Sequence, residues 1–137
     1  MAPAYDILLH QLFLRELDEI APPRSRLRQQ VNDILHEASL NPRGPGFGKL
    51  WTVYYFPCEI VTWRAHVGAR GGHRLINGLF QDPEARSVEV VPVLLSDSRR
   101  DEGFRYVYRQ VQDRVLQIAL DYVDQQSPRF NLWDGTL

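Results

Sequence analysis

Apolar residues recur along this chain at two periods, and the switches between them mark out the elements. Ala4 to His10 (AYDILLH) is a short apolar run that reads as a first strand. From Gln11 to Ile20, Leu12, Phe13, Leu17 and Ile20 fall at helical spacing, with Arg15, Glu16, Asp18 and Glu19 on the polar side. That pattern predicts an amphipathic helix, which Pro22-Pro23 ends. Ser25 is placed to cap a second helix from about Arg26 to Leu40, where Leu27, Val31, Ile34, Leu35 and Ala38 share one face and Asn41-Pro42 follows. Two helices joined by a short turn form a hairpin expected to pack on one face of a sheet.

The sheet itself is written after a glycine-rich loop, Arg43 to Lys49. Leu50 to Tyr55 reads as an extra strand, followed by Glu59 to Val67, His73 to Phe80 and Val88 to Leu95, with short connections at Gly68–Gly72 and Gln81–Arg86. Short connections favour an antiparallel meander over parallel crossovers. Pro92 lies inside the last run and cannot donate to a ladder, so a bulge or an edge is required there. Phe104 to Gln125 repeats Val107, Val111, Val115, Ile118 and Tyr122 on one stripe, which predicts a long helix. The expected class is α+β: an antiparallel sheet with an N-terminal strand, a helical hairpin, a three- to four-stranded meander and a C-terminal helix. Residues 1–126 are expected to form one domain. Residues 127–137 are read as a tail, in which Phe130, Leu132 and Trp133 either dock or form a partner-binding segment.

With 137 residues the chain can bury roughly two thirds of its unfolded surface and needs no staples. Its one cysteine, Cys58, excludes an intrachain disulfide and fits a reducing compartment. No apolar run approaches the roughly 20 residues a membrane helix requires, and no charged n-region precedes one, so the expectation is a cytoplasmic protein without a membrane association. The formal net charge is −1. Charge is uneven: residues 43–108 hold nine Lys and Arg against seven acids, so the small positive excess coincides with the strands.

Polar residues inside the strands carry the chemistry. With a period of two, Val61, Trp63, Ala65 and Val67 form a core face, while Ile60, Thr62, Arg64 and His66 share the opposite one. Arg74 opens the next strand, and Arg99, Arg100, Tyr106 and Tyr108 follow the last. One exposed sheet face can therefore gather Arg64, His66 and Arg74, with Arg100 from the following segment. The same spacing also fits a solvated face. His10, His36, His66 and His73 show no ligand spacing, so no metal is expected. Trp51 and Trp63 read as core residues and Cys58 as packing.

The order strand, two helices, meander, helix, together with Thr62-Trp63-Arg64-Ala65-His66-Val67, Gly72-His73-Arg74-Leu75-Ile76 and Arg99-Arg100-Asp101-Glu102-Gly103-Phe104-Arg105-Tyr106, resembles the RelE/ParE superfamily of bacterial toxins over roughly residues 4–108. The order of Arg100 and Tyr106 is similar to the mRNA-cleaving RelE branch, although His66 stands where that branch often has Lys. The resemblance implies the toxin of a toxin–antitoxin pair, a ribosome-dependent endonuclease that cuts mRNA by 2′-OH attack without a cofactor. It implies His66 as general base, Arg64 and Arg74 on the phosphate, Arg100 at the leaving group and Tyr106 on a base or the 2′-OH, with Lys49, Arg70 and Arg99 as RNA contacts. The partners it implies are an antitoxin, the ribosome and mRNA. The ParE branch implies one alternative, a non-catalytic inhibitor that binds DNA gyrase, and a degenerate toxin-fold interaction protein is the other.

Overall fold

Why this chain forms a two-faced sheet follows from where its apolar residues fall. A computed structural model describes residues 5–68, 72–97, 107–124 and 129–137. The elements are β1 (Asp6–His10), α1 (Gln11–Ile20), α2 (Arg26–Leu40), β2 (Gly48–Tyr55), β3 (Cys58–Val67), β4 (His73–Asp82), β5 (Ser87–Asp97), α3 (Val107–Val123) and β6 (Phe130–Leu132). They build an α+β protein whose six-stranded sheet has the order β2-β3-β4-β5-β1-β6. Strands β2 to β5 are the expected antiparallel meander. β1 joins β5 in parallel, so the sheet is mostly rather than wholly antiparallel. No helix among the described residues is long and apolar enough to cross a membrane.

Both helices of the hairpin start on side-chain caps. Ser25 Oγ accepts from the Arg28 N–H at 3.2 Å. His10, buried, accepts from the Leu12 N–H through Nδ1 at 3.1 Å and meets Asp121 of α3 through Nε2 at 2.6 Å. A backbone N–H aimed at Nδ1 fixes the tautomer, so Nε2 carries the hydrogen given to Asp121.

Each face of the sheet has its own core. Phe13, Leu17, Val31 and Leu35 of the helical hairpin pack on Ile7, Ala65, Val67, Leu75, Leu79 and Val90. Val111, Val115, Ile118 and Ala119 of α3 pack on Ile60, Ile76, Phe80, Val91 and Leu94. The face expected to be exposed is therefore covered over much of its area by α3. The reason is the apolar row Ile60–Ile76–Phe80, which no solvated face would leave open.

Pro92 is accommodated by a bulge. The β4–β5 register jumps from Ile76↔Leu94 to Asn77↔Pro92, leaving Val93 as the extra residue. The backbone groups freed there find side chains. The Val93 carbonyl accepts from Arg114 Nη1 at 3.1 Å, and the Leu95 N–H donates to Glu16 Oε1 at 2.8 Å. Arg114 of α3 and Glu16 of α1 close the set at 3.1 Å.

The C-terminal segment docks rather than hanging free. β6 pairs with β1, Trp133 Nε1 donates to Asn32 Oδ1 at 3.0 Å, and Asn32 Nδ2 donates to the Gly135 carbonyl at 3.0 Å. Trp133 sits in the hairpin-face core.

Gly78 lies on the α3 face of β4, where a Cβ would meet the Phe80 ring at 2.6 and 3.0 Å and Ile60 Cγ2 at 3.2 Å. Phe80 is fully buried against Tyr122 and cannot swing away. Gly78→Ala is expected to lower stability by about 1–3 kcal/mol through overpacking. Urea unfolding checks it, and an unchanged midpoint would contradict this packing.

Candidate functional site

The β3–β4 ladder decides which polar residues meet. Its register pairs His66 with Arg74 and Arg64 with Ile76. Directly opposed residues of an antiparallel pair share a face with Cβ atoms about 4.5–5.5 Å apart. Arg64, His66 and Arg74 therefore lie together, on the face that carries Ile76 and α3, as the period-two pattern predicted. His73 pairs with Val67 on the other face and sits 3.4 Å from Asp97.

The first turn of α3 brings Tyr108 onto the same spot. Arg64 Nη1 donates to Tyr108 Oη at 3.1 Å and Arg74 Nη1 donates to it at 2.8 Å. Both arginines and Tyr108 are half-buried, whereas His66 is exposed. The site is thus a partly sheltered pair of cations around one phenol oxygen, with an imidazole open to solvent beside them.

Strand β2 supplies the wall. Gly48 faces Arg64 in the register, and a Cβ there would stand 3.3 Å from Arg64 Nη2. A glycine lets the guanidinium lie close over the strand. The β2–β3 register then shifts between Lys49 and Thr52. Thr62 Oγ1 fills the gap, donating to the Trp51 carbonyl at 2.8 Å and accepting from its N–H at 3.3 Å. The bulge turns Trp51 toward α3, where its ring meets Tyr108 edge-on, with centroids 5.8 Å apart and planes at 71°. Trp51 is core on this face, and Trp63 packs on the hairpin side.

Arg64 is the most exacting member of the group. Its Nε is buried and has no hydrogen-bond partner among the described residues. The described ion pairs within 4.0 Å do not include it. A half-buried guanidinium whose hydrogen bond among the described residues goes to a neutral hydroxyl is suited to pairing with an anion.

Of the other residues singled out from sequence, Lys49 is not brought here. It pairs with Trp63, which places it on the hairpin face, exposed. Arg70, Arg99, Arg100 and Tyr106 lie outside the described residues. Tyr108, named from sequence among the residues after the last strand but given no role there, is the candidate that the structure adds. Its signal was present, because Tyr108 lies one position after Val107 and so off the centre of the apolar stripe of α3. That offset is what a residue at the rim of the covered face shows.

Two other polar regions differ in chemistry. Near the C-terminal end of α3, Glu89, Tyr122 and Ser87 hydrogen-bond together beside Asp82, Asp121 and Asp124, around a cavity of about 340 Å³. Burial pushes the Glu89 carboxyl above its ordinary range. That region holds carboxylates where the first holds cations. A second cavity, of about 470 Å³ and lined by Tyr54, Phe56, Cys58, Glu59, Gln81 and Val88 among others, opens at the far end of β3 from Arg64. Burial first, then Asp82, Glu89 and Glu84, push the Cys58 thiol up to about 11, so it holds almost no thiolate at neutral pH. Cys58 packs in the α3-face core. Among the described residues no group of three or more His, Cys, Asp and Glu is arranged to hold a metal ion.

Comparison with family models, with curated proteins and with solved structures finds no match to this chain.

Proposed function

We propose that this chain is a RelE-like toxin, a ribosome-dependent endonuclease that cleaves mRNA by 2′-OH attack. The observation that carries the reading is the convergence of Arg64 and Arg74 on one oxygen beside exposed His66. The ribose 2′-oxygen attacks the adjacent phosphorus while the exposed imidazole of His66 takes its proton. The P–O5′ bond then breaks, leaving a 2′,3′-cyclic phosphate and a 5′-hydroxyl. Arg64 and Arg74 neutralise the charge that grows on the non-bridging oxygens. By resemblance, Arg100 stabilises the charge on the leaving 5′-oxygen, which takes its proton from solvent, and Tyr106, Arg70 and Arg99 contact the RNA. An antitoxin would hold the protein inactive by covering this basic face.

With a net charge of −1 the chain has too little positive charge to grip RNA alone. Clear cleavage of translated mRNA is expected, with little cleavage of the same RNA free in solution. Primer extension with and without ribosomes measures it. His66→Gln is expected to lower the ribosomal rate by roughly 100-fold or more. Equal cutting with and without ribosomes would remove the ribosome from the proposal. Growth arrest with mRNA intact would replace nuclease by the gyrase-binding alternative.

A further inference from the structure

We infer that Tyr108 itself contacts the substrate phosphate, donating its hydroxyl hydrogen to a non-bridging oxygen, and that Arg64 and Arg74 act on that oxygen partly through it. The inference rests on the reading of this face as a phosphodiester site, and it assigns Tyr108 a role that neither the motifs nor the resemblance gave it.

The argument is one of hydrogen-bond capacity. A phenol has two lone pairs and one hydrogen. Arg64 Nη1 and Arg74 Nη1 donate to Tyr108 Oη at 3.1 and 2.8 Å, so both lone pairs are engaged by cations. The hydroxyl hydrogen is left to point elsewhere, and no acceptor for it is found among the described residues. Bonds accepted from two guanidinium groups draw electron density from the oxygen and strengthen its O–H as a donor. Arg64 adds a buried Nε without a partner among the described residues. The cluster therefore presents polarised donors converging from β3, β4 and α3. Donors arriving from three elements fit the tetrahedral oxygens of a phosphate better than the planar edge of a carboxylate, which a single guanidinium fork would satisfy.

The ring is also held for the task. Trp51 stands edge-on to it, and Tyr108 packs against the α3-face core. The hydroxyl direction is thus set by packing before any ligand arrives, which is the condition for a preorganised contact.

Titration of the isotope-labelled full chain with inorganic phosphate tests the contact directly. Tyr108 ring signals and the Nε–Hε signals of Arg64 and Arg74 are expected to move together along one binding curve. Tyr108→Phe keeps the ring and its contact with Trp51, and is expected to weaken phosphate binding roughly tenfold, with amide signals outside the site unmoved. A Tyr108 signal that stays still while both arginines respond would overturn the inference. So would phosphate binding of equal strength in Tyr108→Phe, or no binding in the wild type. Should Tyr108→Phe fail to fold, the wild-type titration decides alone. Phosphate held through Tyr108 by a protein that leaves translated mRNA intact would keep the contact and remove the nuclease.

Discussion

Arg74→Ala is expected to lower ribosomal mRNA cleavage by about 100-fold or more, which corresponds to about 2.7 kcal/mol of transition-state stabilisation. Arg74 stands directly across the ladder from His66 and reaches Tyr108 Oη at 2.8 Å. It lies between the proposed base and the proposed phosphate contact. Its charge matters most when negative charge grows on the phosphoryl oxygens, so kcat should fall more than KM rises. Arg74→Lys keeps the charge but loses the planar fork, and it should recover only a minor part of the rate. Single-turnover primer extension on ribosome-bound mRNA separates the two effects. Cleavage by Arg74→Ala at the wild-type rate would rule out this face as the reaction centre. A variant that is inactive and also unfolded would be recognised by its melting curve.

The largest expected effect on stability lies away from that face. Glu16→Ala is expected to cost about 3–5 kcal/mol, the range for removing one partner of a buried ion pair. Glu16 is 9% exposed and holds both Arg114 and the Leu95 N–H. Removing it strands a sheltered guanidinium and a backbone donor freed by the Val93 bulge. Replacing both partners by apolar residues, Glu16→Leu with Arg114→Met, should cost clearly less, because no unpaired charge remains. Urea unfolding of the two single variants and the double variant measures the coupling. Equal, additive losses would show that Glu16 and Arg114 contribute independently and that the contact across the sheet edge is incidental.

Much of the fold is legible in the order of residues. α1 and α2 begin and end where the apolar period, Ser25 and the two proline signals place them, because helix limits are set by local capping and by proline's missing donor. The four meander strands follow the same local logic. Period two alone also put Arg64 and His66 on one face and Trp63 and Ala65 on the other. Local pattern placed the helical hairpin on one face but could not say what lies over the other. Ile60, Ile76 and Phe80 looked like scattered apolar residues among polar neighbours until the ladder aligned them into a row that α3 covers. The C-terminal strand was equally invisible, since three residues carry no period and their role depends on the free edge of β1.

The candidate site divides the same way. The sequence by itself determined that Arg64 and His66 share a sheet face, because side-chain alternation is a property of the extended backbone, and the β3–β4 register then set Arg74 beside them. The tertiary structure alone decided that Tyr108 joins them, that Lys49 does not, and that Gly48 makes room for Arg64. Each of those outcomes depends on register and on the docking of α3. Both are set by the summed burial of two separate cores and by a bulge that gives Thr62 its place, quantities distributed over the whole chain that no short motif contains.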